Sequence, residues 1–418
     1  MSPDQPHRAA RPAVMLAVVV LFALVLGACG NTGVTGSSGS DANANKKQDV
    51  SFIPEAQRSL YDAFSVVKVT KDPLAEYKAP TGPLKYCLAE SYTKQVFRVG
   101  PPLGSVGMLK ALVGQLVKQG KATGPLVMTD SNNNVSVQLS QMNNLVQQGC
   151  QVIFTYPGTA TGLCSAVKNA YEKGVLVVSY GTEASCPNMI SVDVNQYRMA
   201  YLAAENLASR LDGKGNVVLV NAIKGVPAAE AERQGALDAL AKHPDIKVTG
   251  EIYGNWTPSI AKSEMLSYLA THPDQIDGVW QAGLMSSAVN QALEQAGRKD
   301  YKVEAFSGTC AGLALWHKNG GDNFSFLQAG EPFAYMAMEA AQRVLAGAKP
   351  VSNVLLFDMP LITKDNLDEW YQPGMTENSN CYPNAPEKYR VDPKDLDPLL
   401  PGTTGELPTL EYATAKSF

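Results

Sequence analysis

From residue 84 onward, short apolar runs rich in β-branched residues alternate with stretches of helical periodicity, and this alternation limits the possible folds more than any other feature. The runs at 84–89, 125–129, 151–155 and 175–180 carry the unbroken apolarity of strands covered on both faces. Between them, residues 106–118 place Met108, Leu109, Leu112, Val113, Leu116 and Val117 on one face, and Val137, Leu139, Met142, Leu145 and Val146 form a second stripe. Strand, helix and strand at this spacing imply right-handed crossovers and a parallel sheet. The pattern restarts after Asp193, with helices at 196–211, 228–241, 258–271 and 286–296 and strands at 216–220, 248–253, 278–280 and 302–306, so two sheets are expected. A strand at 324–327, a helix at 333–345, a strand at 354–357 and a helical stretch at 366–370 complete the body. From Gln372 onward proline, asparagine and charge dominate, which predicts a C-terminal extension (372–418) laid over the surface rather than a third domain.

The N-terminus is of another kind. His7, Arg8 and Arg11 form a basic patch, and 13–26 is an apolar run of signal-peptide length, too short to span a bilayer comfortably. It ends in Leu26-Gly27-Ala28-Cys29, which resembles the lipobox of bacterial lipoproteins. That resemblance implies a signal peptide over 1–28 and a diacylated Cys29 holding the chain to the extracytoplasmic face of the cell membrane, where two acyl chains suffice for a stable anchor. An ordinary cleaved signal that happens to end near a cysteine is the alternative. Residues 29–50, mostly Gly, Ser, Asn, Thr and Asp, cannot repay ordering entropy and read as a tether of roughly 25 Å. An N-terminal extension over 51–83, with a short amphipathic stretch at 55–66, precedes the body.

With 45% apolar and 18% charged residues the chain of 418 residues is globular, and its net charge of -4 supplies no attraction for nucleic acid. Six cysteines follow Cys29, and export permits disulfides, but six sites allow fifteen full pairings. Cys164 with Cys186 is the first expectation, because they flank one helix and the loop after the next strand; Cys87 lies inside a strand and reads as a buried thiol. Neither the cysteine spacing nor His243, His272 and His317 suits a zinc site, so no metal and no other cofactor is expected. The turn Gly308-Thr309-Cys310-Ala311-Gly312 mimics a nucleophile elbow. Its nearest base, His317, sits about 10 Å along the same helix and cannot reach the thiol, so no enzyme activity is expected.

Asp130-Ser131-Asn132, Gln138-Leu139, the run 145–153 and Pro157 closely resemble a segment of the type 1 periplasmic binding proteins, nearest to the ribose-binding-protein-like subgroup. The strand at 175–180, Trp256 with Leu269 and His272-Pro273-Asp274, and the turn at 304–308 resemble later segments of that family in the same order, so the likeness covers about 84–370. It implies an α/β fold of two doubly wound parallel-sheet lobes joined by a three-crossing hinge, with an N-lobe over 84–192 plus 329–356 and a C-lobe over 193–328 plus 357–371. The crossings are expected near 191–194, near 306–307 or shortly after, and near 327–329. It also implies a sugar-type ligand held between the lobes, and an ABC permease and its ATPase as partners. A surface receptor feeding a sensor protein is the alternative. A repressor sharing the two-lobe core would need a DNA-binding headpiece where this chain carries an export signal.

The resemblance assigns candidate ligand residues. Glu90, Ser91, Tyr92, Gln95, Phe97 and Arg98 occupy the loop after the first strand, where Phe97-Arg98 resembles a sugar-stacking pair. Read alone, the same two residues are equally a core aromatic and a solvated charge. Trp256 falls at a second stacking position, and Gln328 matches a hinge glutamine able to donate to one hydroxyl and accept from another. Tyr180 and Gly283, each near the end of a strand, complete the set. The departures matter as much. Gly181-Thr182 replaces an Asp-Arg pair, Ser307 replaces an Asp, and either Glu232 or Arg233 takes the place of an Arg on a C-lobe helix. Glu90, Glu183 and Glu232 are substitute acceptors or plain surface charges. Because an ionised hydrogen bond contributes about 1.5–3 kcal/mol against about 1 for a neutral one, an aldopentose is no better an expectation than a polyol, a deoxy sugar, a glycoside or a non-sugar metabolite.

Overall fold

The computed structural model describes residues 48–64 and 66–414; Cys29, the signal segment and most of the tether lie outside them. The N-lobe sheet contains β1 (Tyr86–Glu90), β2 (Val127–Asp130), β3 (Val152–Thr155), β4 (Leu176–Tyr180) and β5 (Ile190–Asp193). Its helices are α1 (Val96–Val99), α2 (Gly104–Lys118), α3 (Val135–Gln147) and α4 (Cys164–Glu172). The C-lobe runs α5 (Gln196–Arg210), β6 (Lys214–Asn221), α6 (Pro227–Leu240), β7 (Asp245–Tyr253), α7 (Pro258–Thr271), β8 (Gly278–Gln281), α8 (Ser286–Gln295), β9 (Lys302–Val303), α9 (Cys310–Asn319) and β10 (Ser325–Phe326). Then come α10 (Gly330–Leu345), β11 (Val354–Leu356), β12 (Leu361–Ile362) and α11 (Leu367–Trp370).

All six N-lobe strands are parallel in the order β2-β1-β3-β4-β5-β11, and the four C-lobe strands are parallel in the order β7-β6-β8-β9. Period-2 alternation explains why the N-lobe strands read as continuously apolar. Tyr86 and Leu88 enter the core shared with α2 and α10, while Cys87 and Ala89 enter a second core beneath α3 and α4. Local chemistry starts the helices where the chain needs them. The Asn134 and Asn195 side chains cap α3 and α5 by accepting from Val137 N and Arg198 N, and Pro227 and Pro258 open α6 and α7.

The chain passes between the sheets at 194–195, 327–329 and 357–360. The turn at 306–307 is not a crossing: after β9 the chain stays in the C-lobe and forms α9, which packs on α8 and α11. Sequence could not separate the two because each is a strand end followed by a polar turn. Within the amphipathic stretch at 55–66, Glu55–Tyr61 forms a 3-10 turn, fastened beside β11 where the Tyr61 hydroxyl donates to Val354 O at 2.6 Å.

Among the described residues three disulfides are present, Cys87–Cys150, Cys164–Cys186 and Cys310–Cys381. Cys87 is therefore not the free thiol its strand position suggested: it faces the second core, where Cys150 at the end of α3 comes within reach. Cys310 is likewise oxidised, which removes the thiol from the elbow-like turn. Among the described residues no cluster of His, Cys, Asp and Glu is arranged to hold a metal ion.

Candidate functional site

In open α/β sheets the space beyond the strand C-termini is where ligands bind, because loops diverge there and leave a crevice. Here the loops after β1, β3 and β4 face those after β7 and β8, and the space between them has a volume of about 40 Å³.

The N-lobe wall is built around Arg98, which is only 3% exposed. Its guanidinium lies 3.7 Å from the Tyr156 ring centre and 4.6 Å from that of Phe97, and its Nε is 3.4 Å from Glu90 Oε2. The Tyr180 hydroxyl donates to Glu90 Oε1 at 2.6 Å. Burial pushes the Glu90 carboxyl up from its ordinary range, and Arg98 followed by Tyr180 pulls it back. Glu90 and Tyr180 thus hold Arg98 from behind and do not themselves reach the cavity. Gly181, at φ +66°, passes the aromatic pair so closely that a Cβ there would lie 3.1 Å from Phe97 Cζ and 3.2 Å from Tyr156 Cε2.

The C-lobe wall is Trp256, Glu232 and the 283–284 turn. Asn255 and Trp256 both adopt left-handed backbone, φ +55° and +50°, a conformation costing non-glycine residues about 1–2 kcal/mol each. The strain aims the indole, whose Nε1 donates to Ala282 O. Glu232 is 2% exposed; its Oε1 accepts from Gln328 Nε2 at 3.2 Å, and its Oε2 has no partner among the described residues. Burial first, then the nearby Asp193 charge, push its carboxyl well above the ordinary range. Gln328 also donates to Gln196 Oε1 at 2.9 Å.

Gln95, Phe97, Arg98, Glu232, Trp256, Gly283 and Gln328 line the cavity; the other expected residues do not. Tyr92 borders an outer groove on the far side of Gln95 and Trp256. Thr182 accepts from Ala228 N at 3.1 Å, which ties the lobes together. Glu183 is buried against Asp193 beside the hinge. Ser307 Oγ accepts from Leu284 N at 2.7 Å and shapes the turn behind Gly283. Arg233 points outward and forms a two-pronged pair with Glu251 at 2.6 and 2.7 Å, which leaves the helix position to Glu232. Sequence reasoning missed Tyr156, Gln196, Phe333 and Tyr382. Tyr156 directly follows β3 and Gln196 opens α5, so position relative to a strand or helix end was the available signal. Tyr382 offered none, because it lies in the extension.

A buried aromatic and guanidinium face opposite an indole and a buried carboxyl held above its ordinary range, between two hinged lobes, forms a cavity suited to a small polar solute. The periplasmic binding protein domain family matches residues 106–349, more than half the chain, and the chain belongs to that family. It is an extracytoplasmic solute-binding protein of the ABC-importer type, not an enzyme. The xylitol-binding protein of Mycolicibacterium smegmatis is 29% identical over 283 residues, 67% of this chain and 80% of that protein. The ribose import binding protein of Salmonella typhimurium is 25% identical over 240 residues, 57% of this chain and 80% of its own length. A solved ABC transporter solute-binding protein of Mycobacterium smegmatis with bound glycerol has the same fold, with a TM-score of 0.60 at 21% identity over 71% of this chain and 99% of that one.

Proposed function

We propose that the cleft captures a slender polyol or small monosaccharide and delivers it to an ABC permease and its ATPase, with Cys29 as the lipid anchor. The observation that carries the ligand class is the cavity wall. Phe97, Tyr156 and Trp256 supply apolar faces for C–H groups, Arg98 supplies donors, and the unpartnered Glu232 Oε2 is left for a solute hydroxyl. A volume of about 40 Å³ is small for a binding cleft, which favours a compact solute over a glycoside or disaccharide. Similarity to a xylitol-binding protein points the same way.

A thermal-shift panel of glycerol, xylitol, ribose, myo-inositol and amino acids tests this. A true solute at 100 times its dissociation constant stabilises the folded chain by about 2.7 kcal/mol. Stabilisation by an amino acid, with silence from every polyol and sugar, would overturn the reading. For the anchor, Cys29→Ser is expected to release the protein from host membranes, and unchanged membrane fractionation would refute that part alone.

A further inference from the structure

We propose that the C-terminal extension forms a third wall of the solute site, with Tyr382 limiting the size of the solute and the Cys310–Cys381 disulfide holding Tyr382 in place. The proposal rests on the cleft being the solute site. Up to Cys381 the extension is fastened to the C-lobe. The Ser287 hydroxyl donates to Glu377 O at 2.6 Å, Lys318 Nζ lies 2.6 Å from Glu377 Oε1, and Cys310 N donates to Cys381 O at 2.9 Å beside the disulfide. From Tyr382 onward it also takes hold of the N-lobe, while Lys388 and Tyr389 still meet Glu369 and Trp370 of α11. Tyr382 N donates to Pro101 O at 3.0 Å, Asp397 pairs with Arg343 Nε at 3.1 Å, and Glu411 N donates to Gln115 Oε1 at 2.9 Å.

The extension first reaches the N-lobe at Tyr382, directly after the disulfide that holds it to the C-lobe, which makes it a fourth, hydrogen-bonded tie between lobes already joined by three chain crossings. The residue on its N-lobe side is an aromatic that is 2% exposed and stands in the cavity wall with Arg98 and Glu232. The outer groove is bordered by Tyr92, Gln95 and Trp256 together with Glu377, Ser379 and Cys381, so the extension also lies along the way out of the cavity. A tail that only covered surface would keep its large aromatic on one lobe. Here the ring closes the space that any longer solute would have to enter, and the lobes cannot part at this point unless the Tyr382–Pro101 bond breaks.

Tyr382→Ala, Tyr382→Phe and the double variant Cys310→Ser/Cys381→Ser are compared with the wild-type chain by calorimetric titration with glycerol, xylitol, ribose, myo-inositol and maltose. Tyr382→Ala is expected to lose at least tenfold in affinity for the tightest small probe and to gain relative affinity for the larger ones. Tyr382→Phe keeps the wild-type ranking, and the double serine variant falls on the side of Tyr382→Ala. An unchanged ranking in Tyr382→Ala, with affinities within twofold of wild type, overturns the proposal. If the wild-type chain binds none of the probes, the polyol reading fails, and hydrogen exchange without ligand decides the role of the extension. Faster exchange at 95–98 and 254–257 in Tyr382→Ala, with the outer helices unchanged, upholds it; unchanged exchange at those segments overturns it.

Discussion

Trp256 serves two masters, because its indole donates to Ala282 O while its ring faces the cavity, and its substitutions should separate the two roles. Trp256→Ala is expected to weaken the tightest-binding polyol by about 2 kcal/mol or more, as for a buried aromatic anchor. It should also lower the urea midpoint of the ligand-free chain, since the ring is 9% exposed and belongs to the main core. Trp256→Phe keeps an apolar face but strands the Ala282 carbonyl, costing about 1–3 kcal/mol of stability with a smaller loss of affinity. Wild-type affinity in Trp256→Ala would remove the residue from the site. Glu232 makes a complementary case. Because burial keeps its carboxyl protonated beyond the usual range, Glu232→Gln should bind nearly as wild type, whereas Glu232→Leu leaves Gln328 with one acceptor fewer and should lose about 1–3 kcal/mol of binding in the same titration. Both residues were legible in sequence, one as a tryptophan in a turn rich in glycine and proline and the other as a carboxylate at a helix position with a family counterpart. Tyr382 was illegible for a physical reason. Nothing local in a segment of proline and asparagine directs a tyrosine inward; a disulfide across 71 positions does so.

At the scale of elements, the hinge carries a charge arrangement that ought to show in stability. Glu183, in the loop after β4, and Asp193, at the end of β5, are both fully buried, and neither Glu183 oxygen nor Asp193 Oδ2 has a donor among the described residues. The two carboxyls are satisfied only if one is protonated and donates to the other. Burial drives both upward, Glu183 well above its ordinary range and Asp193 to about 7. The folded chain therefore keeps a proton that the unfolded chain releases near pH 4, and this contribution to stability is present at low pH and lost as pH rises from about 4 to about 7. Glu183→Gln replaces the shared proton with a permanent N–H donor, so its urea midpoint should fall less than that of wild type between pH 4.5 and pH 7.5. Parallel profiles for the two proteins would sink the shared-proton assignment. Strands and helices of the sheets were readable from apolar runs and 3.6-residue stripes because each buries a regular face. The pairing of two acidic side chains at a crossing was not, since it depends on β4 and β5 lying side by side and on α5 closing over them.

For the whole molecule, the bonds that cross the cleft set the balance between closed and open lobes. Gln95 Nε2 donates to Asn255 O at 3.2 Å and Ala228 N donates to Thr182 Oγ1 at 3.1 Å, each joining an N-lobe loop to the C-lobe at the cavity's edge. A net contribution of about 1 kcal/mol per bond corresponds to about fivefold in the closed-to-open ratio, so losing both should shift it by more than tenfold. Phe97 and Arg98 on one lobe and Trp256 and Glu232 on the other line the cavity, and only the closed arrangement brings the two sets together around about 40 Å³. Apparent affinity must then fall with the closed fraction. The variant Gln95→Ala/Thr182→Val should therefore have a larger radius of gyration than wild type by X-ray scattering without solute. The two radii should converge when a binding polyol is saturating, and the titrated affinity should be about tenfold weaker or more. Equal radii without solute together with equal affinities would mean that these bonds do not govern closure, leaving the 381–382 strap and the three hinge segments to set it.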